Sequence, residues 1–384
     1  MPSSASPAGT PATEPATEPA TEPATEPATA PSRDAAPGTA PQPRPAREHR
    51  YDIDLIRLLC SVGVILCHTG SAFVNTAGRE ASNGPGTYWA GLVADSAGRF
   101  AVPLFFAIAG WVVLVGAPVR DGRRLWKRVV RIVVPLAVWT ALYLAWGRLR
   151  STNDDPIGDL ALDSLFASVR PAYHLWYLYA YIPVILLLAF AALVKAGRRP
   201  WGLGAALFVL GAAPSLSGDL ARITELDLPR FGWGFGPYQL IYAVLGALLL
   251  AVPAGTFGRR RLWWLLPAGA ALAGTVAYQH EVHYAIPYAS VLVALFSAGV
   301  LLSLHRLHIP DRLRPALTRL SDASFGAYMI HVLVLGVLTD ALVTADLTWP
   351  AAVALVAGVT AATTVLSFGA ALLWTRLGLT RLLG

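Results

Sequence analysis

The chain has 384 residues, of which 55% are hydrophobic and only 14% charged, and its mean hydropathy is +0.52. Soluble domains carry roughly 25% charged residues, so an ordinary soluble domain is excluded. The net charge of +7 does not point to nucleic acid, because the basic residues stand between apolar blocks and do not gather on a polar domain.

Residues 1–50 are low-complexity. Pro-Ala-Thr-Glu repeats with period four from Pro11 to Glu26, and apart from proline no apolar residue larger than alanine occurs between Pro2 and Arg50. Proline at every fourth position removes helical amide donors, and nothing in the segment offsets the entropy of ordering. A disordered cytoplasmic tail is expected, and it lacks the apolar stretch of a signal peptide.

From residue 51 on, a bilayer-spanning helix needs about 20 apolar residues. Ten such blocks follow, at 54–75, 89–117, 129–147, 175–195, 201–217, 236–253, 262–279, 286–304, 324–344 and 350–374. The expectation is an all-α polytopic membrane protein with about ten transmembrane helices. The second block is long enough to break near Pro103, and the fifth is the weakest.

The connections alternate in charge. Arg120–Arg131, Lys195–Arg199, Arg259–Arg261, Arg306–Arg319 and the C-terminal end together hold 18 Lys/Arg. The intervening connections hold six (Arg79, Arg148, Arg150, Arg170, Arg222, Arg230) and are acidic, with Asp154, Asp155, Asp159, Asp163, Asp219, Glu225 and Asp227. The positive-inside rule puts the richer set, and with it both termini, in the cytoplasm, as an even number of spans requires. The expected location is a plasma membrane.

The cysteines, Cys60 and Cys67, are seven residues apart in one block. On a helix that is about 10 Å, too far for a disulfide, and no zinc-ligand spacing accompanies them.

Ionisable groups inside spans are costly and therefore functional candidates. Arg57 and His68 in the first block are eleven residues apart, which returns them to the same helix face about 16 Å apart along the axis. Asp54 and Ser61 share that stripe. One reading is an interfacial Asp54–Arg57 anchor with His68 bonded to a neighbouring helix. The sharper one makes His68 a general base, since a neutral imidazole accepts a proton near pH 7. Arg99, His174, Tyr328 and His331 are further intramembrane polar groups that could reach the same cavity or serve as interhelical hydrogen bonds. His280 and His283 flank a short outer connection and read as interfacial residues. In the basic row, Arg123, Arg124, Lys127, Arg128 and Arg131 set topology and touch anionic lipid. Arg128 and Arg131, one turn apart, also suit a diphosphate such as that of coenzyme A. No glycine-rich phosphate loop is present.

An ordered set of segments carries a family resemblance. Arg57 and His68 match an Arg-x10-His signature. Phe105-Phe-Ala-Ile-Ala-Gly-Trp111 is similar to FFxxSG[FY], and Arg128-Val-Val-Arg131 followed by Pro135 to RxxR plus proline. His174-Leu-Trp-Tyr-Leu-Tyr179 is similar to HLWFL, and Ser324-Phe-Gly-Ala-Tyr-Met-Ile-His331 to S[FY]GIYLIH. Across about 51–375 the chain resembles the acyltransferase family 3 integral-membrane proteins. The branch it resembles most is the stand-alone surface-polysaccharide O-acetyltransferases of the enterobacterial common antigen type. It departs from the pattern at Ala109, where the family has serine, and at Trp111, and no hydrolase-like domain is expected after the tenth span.

The resemblance implies transfer of an acyl group, acetyl by preference, from cytoplasmic acyl-CoA to a hydroxyl of a cell-surface polysaccharide or lipid-linked sugar. Acyl-CoA would be a co-substrate, with no bound cofactor and no metal. His68 and Arg57 are then the expected catalytic pair, and Arg124, Lys127, Arg128 and Arg131 the donor-binding residues. Arg99, His174, Tyr328 and His331 are expected at the acceptor or oxyanion. A transporter or flippase for a lipid-linked sugar is the alternative, though no internal repeat relates the two halves. A non-enzymatic membrane scaffold has no specific support. The residues leave the acyl group, the acceptor and the oligomeric state open.

Overall fold

Apolar blocks of this length satisfy their backbone polar groups in lipid only as helices or closed barrels. A computed structural model shows helices and, among the described residues, no strand. It describes residues 49–119, 121–151, 155–168, 171–225 and 229–384. The repeat tail to residue 48 and Arg120, Asp154, Arg170 and Asp227 lie outside the described residues.

The helices are α1 (Tyr51–Thr76), α2 (Pro85–Gly98), α3 (Ala101–Trp111), α4 (Gly122–Leu149), α5 (Ile157–Leu165), α6 (Trp176–Lys195), α7 (Trp201–Thr224), α8 (Pro237–Ala251), α9 (Leu265–Glu281), α10 (Val291–Leu304), α11 (Arg314–Leu342), α12 (Trp349–Arg376) and the short α13 (Thr380–Leu383). Among the described residues, seven segments are long and apolar enough to cross a membrane: α1, the continuous stretch Pro85–Gly116, α4, Tyr173–Lys195, α7, Asp311–Leu342 and α12. The sixth, seventh and eighth expected blocks are also helical, as α8, α9 and α10, but have only 15, 17 and 14 residues. At 1.5 Å per residue these reach about 21–26 Å, short of a hydrocarbon core of about 30 Å. None of the residues of α7 is buried, in keeping with its weak apolar signal.

The second block breaks where its chemistry requires. Pro103 has no amide to donate to the carbonyl of Arg99, and its ring crowds that carbonyl. The helix is interrupted at Arg99 and Phe100 and resumes at Ala101. The segment ends in a π-helical turn at Val112–Gly116.

Two glycine seams bring backbones together. A Cβ added at Gly70 would run into the Asp95 amide and the Gly91 carbonyl, and one at Gly98 into the Gly63 carbonyl and Cys67. Gly63 and Gly70 on α1 thus oppose Gly98 and Gly91 on α2, an antiparallel contact with seven-residue spacing on both helices. Gly110 on α3 abuts Ala243 on α8, and Gly246 abuts Ala107, in the same manner. Lipid offers no hydrophobic drive for helix association, so close backbone packing has to supply it.

Contacts between connections sort them onto two ends. At one end Asp52 accepts from the Arg306 amide (2.7 Å) and from Arg50 (2.7 Å), while Arg261 donates to the His305 carbonyl (3.4 Å). At the other, Thr87 donates to the Thr344 carbonyl (3.0 Å), and the Arg79 guanidinium covers the Tyr284 ring (5.0 Å). The two groups correspond to the basic and the Arg-poor connections. α1 and α11 run parallel: Arg57 meets Ser321 (2.8 Å) near their starts, and His68 meets His331 ten to eleven residues later.

The α1–α2 seam gives a direct test. Gly70→Leu forces a side chain into backbone and is expected to cost about 3 kcal/mol or more. Gly336→Leu, where an added Cβ meets nothing within 4 Å, is expected to be tolerated. Size-exclusion profiles and thermal unfolding in detergent should show loss of the monodisperse peak for the first variant and a wild-type profile for the second.

Candidate active site

The four elements around His68 each contribute an aromatic or imidazole ring. The His68 ring stacks on His331 of α11 (centroids 5.4 Å, 28° between planes) and takes the edge of Tyr173 (4.8 Å). His174, in the turn before α6, lies edge-on to His331 (5.0 Å), Tyr328 (5.1 Å) and Tyr143 of α4 (5.4 Å). His68, His174, Tyr328 and His331, drawn from three separate segments of sequence, therefore form one cluster. Sequence reasoning missed Tyr173 and Tyr143. Adjacency to His174 was the available signal for the first, and there was none for the second.

The hydrogen bonds fix most of this cluster. The Tyr328 hydroxyl donates to the His174 carbonyl (2.6 Å), and the Tyr143 hydroxyl to the Met329 carbonyl (2.8 Å). His331 Nδ1 lies 2.6 Å from the Tyr328 carbonyl. A carbonyl only accepts, so Nδ1 carries the proton and Nε2 of the neutral ring presents its lone pair. That Nε2 is buried without a hydrogen-bond partner, in a residue that is 0% exposed. His68 differs from both neighbours: its ring retains accessible surface, although protein surrounds it densely. Tyr173 is likewise 52% exposed. His68 is thus the one imidazole of the cluster that keeps accessible surface, since His174 is 1% and His331 0% exposed.

From this cluster a file of tyrosines leads to Arg57. Tyr328 lies 6.0 Å from Tyr177, and Tyr177 5.2 Å from Tyr181, with Phe106 against Tyr177 (5.0 Å). The Tyr181 hydroxyl lies in the field of both Arg57 and Arg128. Arg57 donates to Ser321, which donates to Asp54 (3.0 Å), and Asp54 also accepts from Thr318 (3.2 Å). Asp54, Arg57 and His68 of the stripe thus meet α11, His68 also meets Tyr173 in the turn before α6, and Ser61 donates to the Arg57 carbonyl of its own helix (3.0 Å).

The basic row divides. Asp121 caps α4 by accepting from the Arg124 amide (2.8 Å), so the row is helical from Gly122. Arg128 is half-buried, with Nη2 3.5 Å from the Ala117 carbonyl and Nη1 buried without a partner. Arg131 and Lys127 are exposed, and Arg124 pairs with Asp121 (3.4 Å) on the surface. Arg128 and Arg131 therefore do not converge, and Arg128 is the member that turns toward Arg57.

Arg99 belongs to a separate buried set. Its guanidinium pairs with Asp95 one turn before it (2.7 Å), and Asp95 accepts from the Cys67 thiol (3.1 Å). Both cysteines are free. Asp95 is 0% exposed and neutralises Arg99, which lies 5.7 Å beneath the Tyr288 ring. The i,i+4 spacing of Asp95 and Arg99 made this pair legible, but it was not read. Ala109 is buried, and Trp111 carries Arg50 over its ring at 5.3 Å. Among the described residues, no group of three His, Cys, Asp or Glu is arranged to hold a metal ion.

Chemically, the cluster offers one accessible imidazole, a second with a fixed tautomer, and several phenols. A hydroxyl placed beside His68 could lose its proton there. Compared with protein families, residues 50–370 match the acyltransferase domain Acyl_transf_3. The chain belongs to this acyltransferase family. It is a multi-pass membrane acyltransferase that transfers groups other than amino-acyl groups. Neither the curated proteins nor the solved structures give a match to the acyltransferase.

The Asp95–Arg99 pair can be tested by a double-mutant cycle. Asp95→Ala leaves a buried guanidinium unpaired and is expected to cost about 3–5 kcal/mol. Asp95→Ala with Arg99→Met should recover a large part of that loss in thermal unfolding of the purified protein. Additive losses would show that the pair is not coupled.

Proposed function

We propose that this acyltransferase moves an acetyl group from acyl-CoA, bound at the basic end, to a hydroxyl of a cell-surface polysaccharide or lipid-linked sugar that enters from the opposite end. The observation that carries the reading is the ring cluster in which His68 keeps accessible surface among His174, His331, Tyr173 and Tyr328. The basic end is taken as cytoplasmic under the positive-inside rule, in a plasma membrane crossed ten times with both termini inside. The short helices α8, α9 and α10 complete that number, supported by connections that contact one another on alternate ends. Family membership favours this enzyme over a transporter.

In this reading His68 is the general base. It removes the proton of a sugar hydroxyl as the oxygen attacks the thioester carbonyl, and the thiolate of CoA leaves. His331 stacks on His68 and holds its plane, and the buried Nε2 of His331 can accept a hydrogen bond from the acceptor. His174 and Tyr328 support these rings. Arg57 and Arg128 hold the CoA phosphates at the mouth, with Arg124, Lys127 and Arg131 adding attraction from the exposed surface. Arg99, neutralised by Asp95, contributes through the position of Cys67 and Tyr288 and touches the acceptor oxyanion only if the pair opens. The stand-alone surface-polysaccharide branch remains the preferred kinship, and Ala109 leaves acceptor recognition to side chains other than the family serine.

Reconstituted protein, labelled acetyl-CoA and an extract of the host's surface glycans test this. His68→Ala is expected to lower glycan labelling at least ~10²-fold, the lower range for a general base. Labelling at the wild-type rate would remove His68 from the reaction.

The division of the basic row gives a second expectation. Arg128→Ala should raise the KM for acetyl-CoA by about 10-fold or more, as for loss of a charge-assisted hydrogen bond. Arg131→Ala should change it less than threefold at ordinary ionic strength. The reverse order would make the exposed arginine the donor ligand.

A further inference from the structure

The Arg-poor end carries a polar cavity that the chemistry at His68 leaves unused. Its volume is about 240 Å³. At ~30 Å³ per water that is roughly eight molecules, the space of about one sugar ring. Arg79 enters it from the α1–α2 connection, Tyr88 from α2, Gln279 and His280 from the last turn of α9, and His283 and Tyr284 from the connection that follows.

The guanidinium of Arg79 is held in place. Its backbone sits in the left-handed region (φ 60°), which costs a non-glycine residue about 1–2 kcal/mol. Its amide donates to the Val74 carbonyl (2.9 Å), its Nε donates to Asn75 Oδ1 (3.0 Å), and its plane lies 5.0 Å over the Tyr284 ring. The two Nη groups make no hydrogen bond with the described residues. His280 is fixed by the Tyr88 hydroxyl at Nδ1 (3.0 Å) and by the Trp89 ring (4.4 Å). Gln279 is committed on both sides, donating to Ser96 (2.7 Å) and accepting from the Ile286 amide (3.2 Å).

The charge balance favours an anion. Among the described residues, Arg79 is the one permanently charged group lining the cavity. Glu281 lies 3.6 Å from His280 Nε2 but is 73% exposed and does not line it. Asp95, behind Tyr284, is neutralised by Arg99. Tyr284, in its wall, lies on the side of Tyr173, whose ring gives its edge to His68.

Resting on the acyltransferase reading, we propose that this cavity is an acceptor subsite for an anionic sugar. The Arg79 Nη groups would take its carboxylate or phosphate, and the sugar ring would lie against Tyr284 on the path to His68. A planar guanidinium with two free donors suits either anion, and stacking on an aromatic face suits a sugar ring.

The test is equilibrium binding to the full-length protein in nanodiscs, with three probes: methyl glucuronide, glucose 1-phosphate and neutral methyl glucoside. Trp89, against His280, provides a fluorescence signal. At least one anionic probe is expected to bind about 10-fold or more tightly than the neutral glucoside, and whichever does so identifies the carboxylate or the phosphate as the ligand group. Arg79→Gln should abolish the preference and leave acetyl-CoA binding unchanged. Arg79→Gly relieves the left-handed backbone, so loss of preference in that variant as well rules out misfolding as the cause. Equal binding of all three probes, or a preference that survives Arg79→Gln, would overturn the subsite. These measurements need no acyl transfer, so the two readings fail separately. An Arg79-dependent preference in a protein that never labels glycan keeps the subsite and removes the proposed transfer of acetyl to surface glycan. Glycan labelling without the preference does the opposite.

Discussion

The contact on which the rest of the molecule depends is the meeting of α1 and α2 backbone to backbone. Gly63 and Gly70 face Gly98 and Gly91, and no side chain fits between them. This proximity places the Cys67 thiol on Asp95 and brings Arg99 beneath α1. It also fixes the rotation of α1, so that Asp54, Arg57 and His68 face α11 and α6 and not lipid. A helix with polar groups on one stripe is stable in a bilayer only when that stripe is covered, and the glycine seam holds the opposite side.

Coverage of the stripe is graded along its length. Near its start, carboxylate, hydroxyl and guanidinium satisfy one another directly through Asp54, Ser321 and Arg57. Farther along, tyrosines replace charges, each with an apolar body and a polar tip. At the level of His68 only rings remain, and Nε2 of His331 is without a partner. The ring nitrogens of His174 are bare as well, so unpaired imidazole nitrogens gather beside the accessible His68.

Much of this was legible in the sequence because membranes restrict the options. Block length and apolarity gave helices at all ten expected places. Proline chemistry located the break in the second block, although the interruption falls at Arg99 and Phe100, four and three residues before the ring that causes it. The helical period put Arg57 and His68 on one face. Length was less legible: α8, α9 and α10 are shorter than the other apolar helices because proline lies close to their ends, in Val252-Pro253 and Ile286-Pro287 for example. Partnerships between distant segments were hidden. Nothing in the spacing of Arg128 and Arg131 says that one turns inward and the other outward, since that depends on where α6 lies against α4. The commitment of Arg99 to Asp95 was readable at i,i+4, but a single buried cation looks like a ligand until its counter-ion is noticed.

The half-exposed ring of Tyr173 has a consequence under the proposed chemistry. A thioester is slowly destroyed by water. With an acyl group held beside His68 as proposed, the phenol that meets the imidazole edge-on would stand between that group and the medium. Trimming it to alanine would then raise hydrolysis even with no acceptor present.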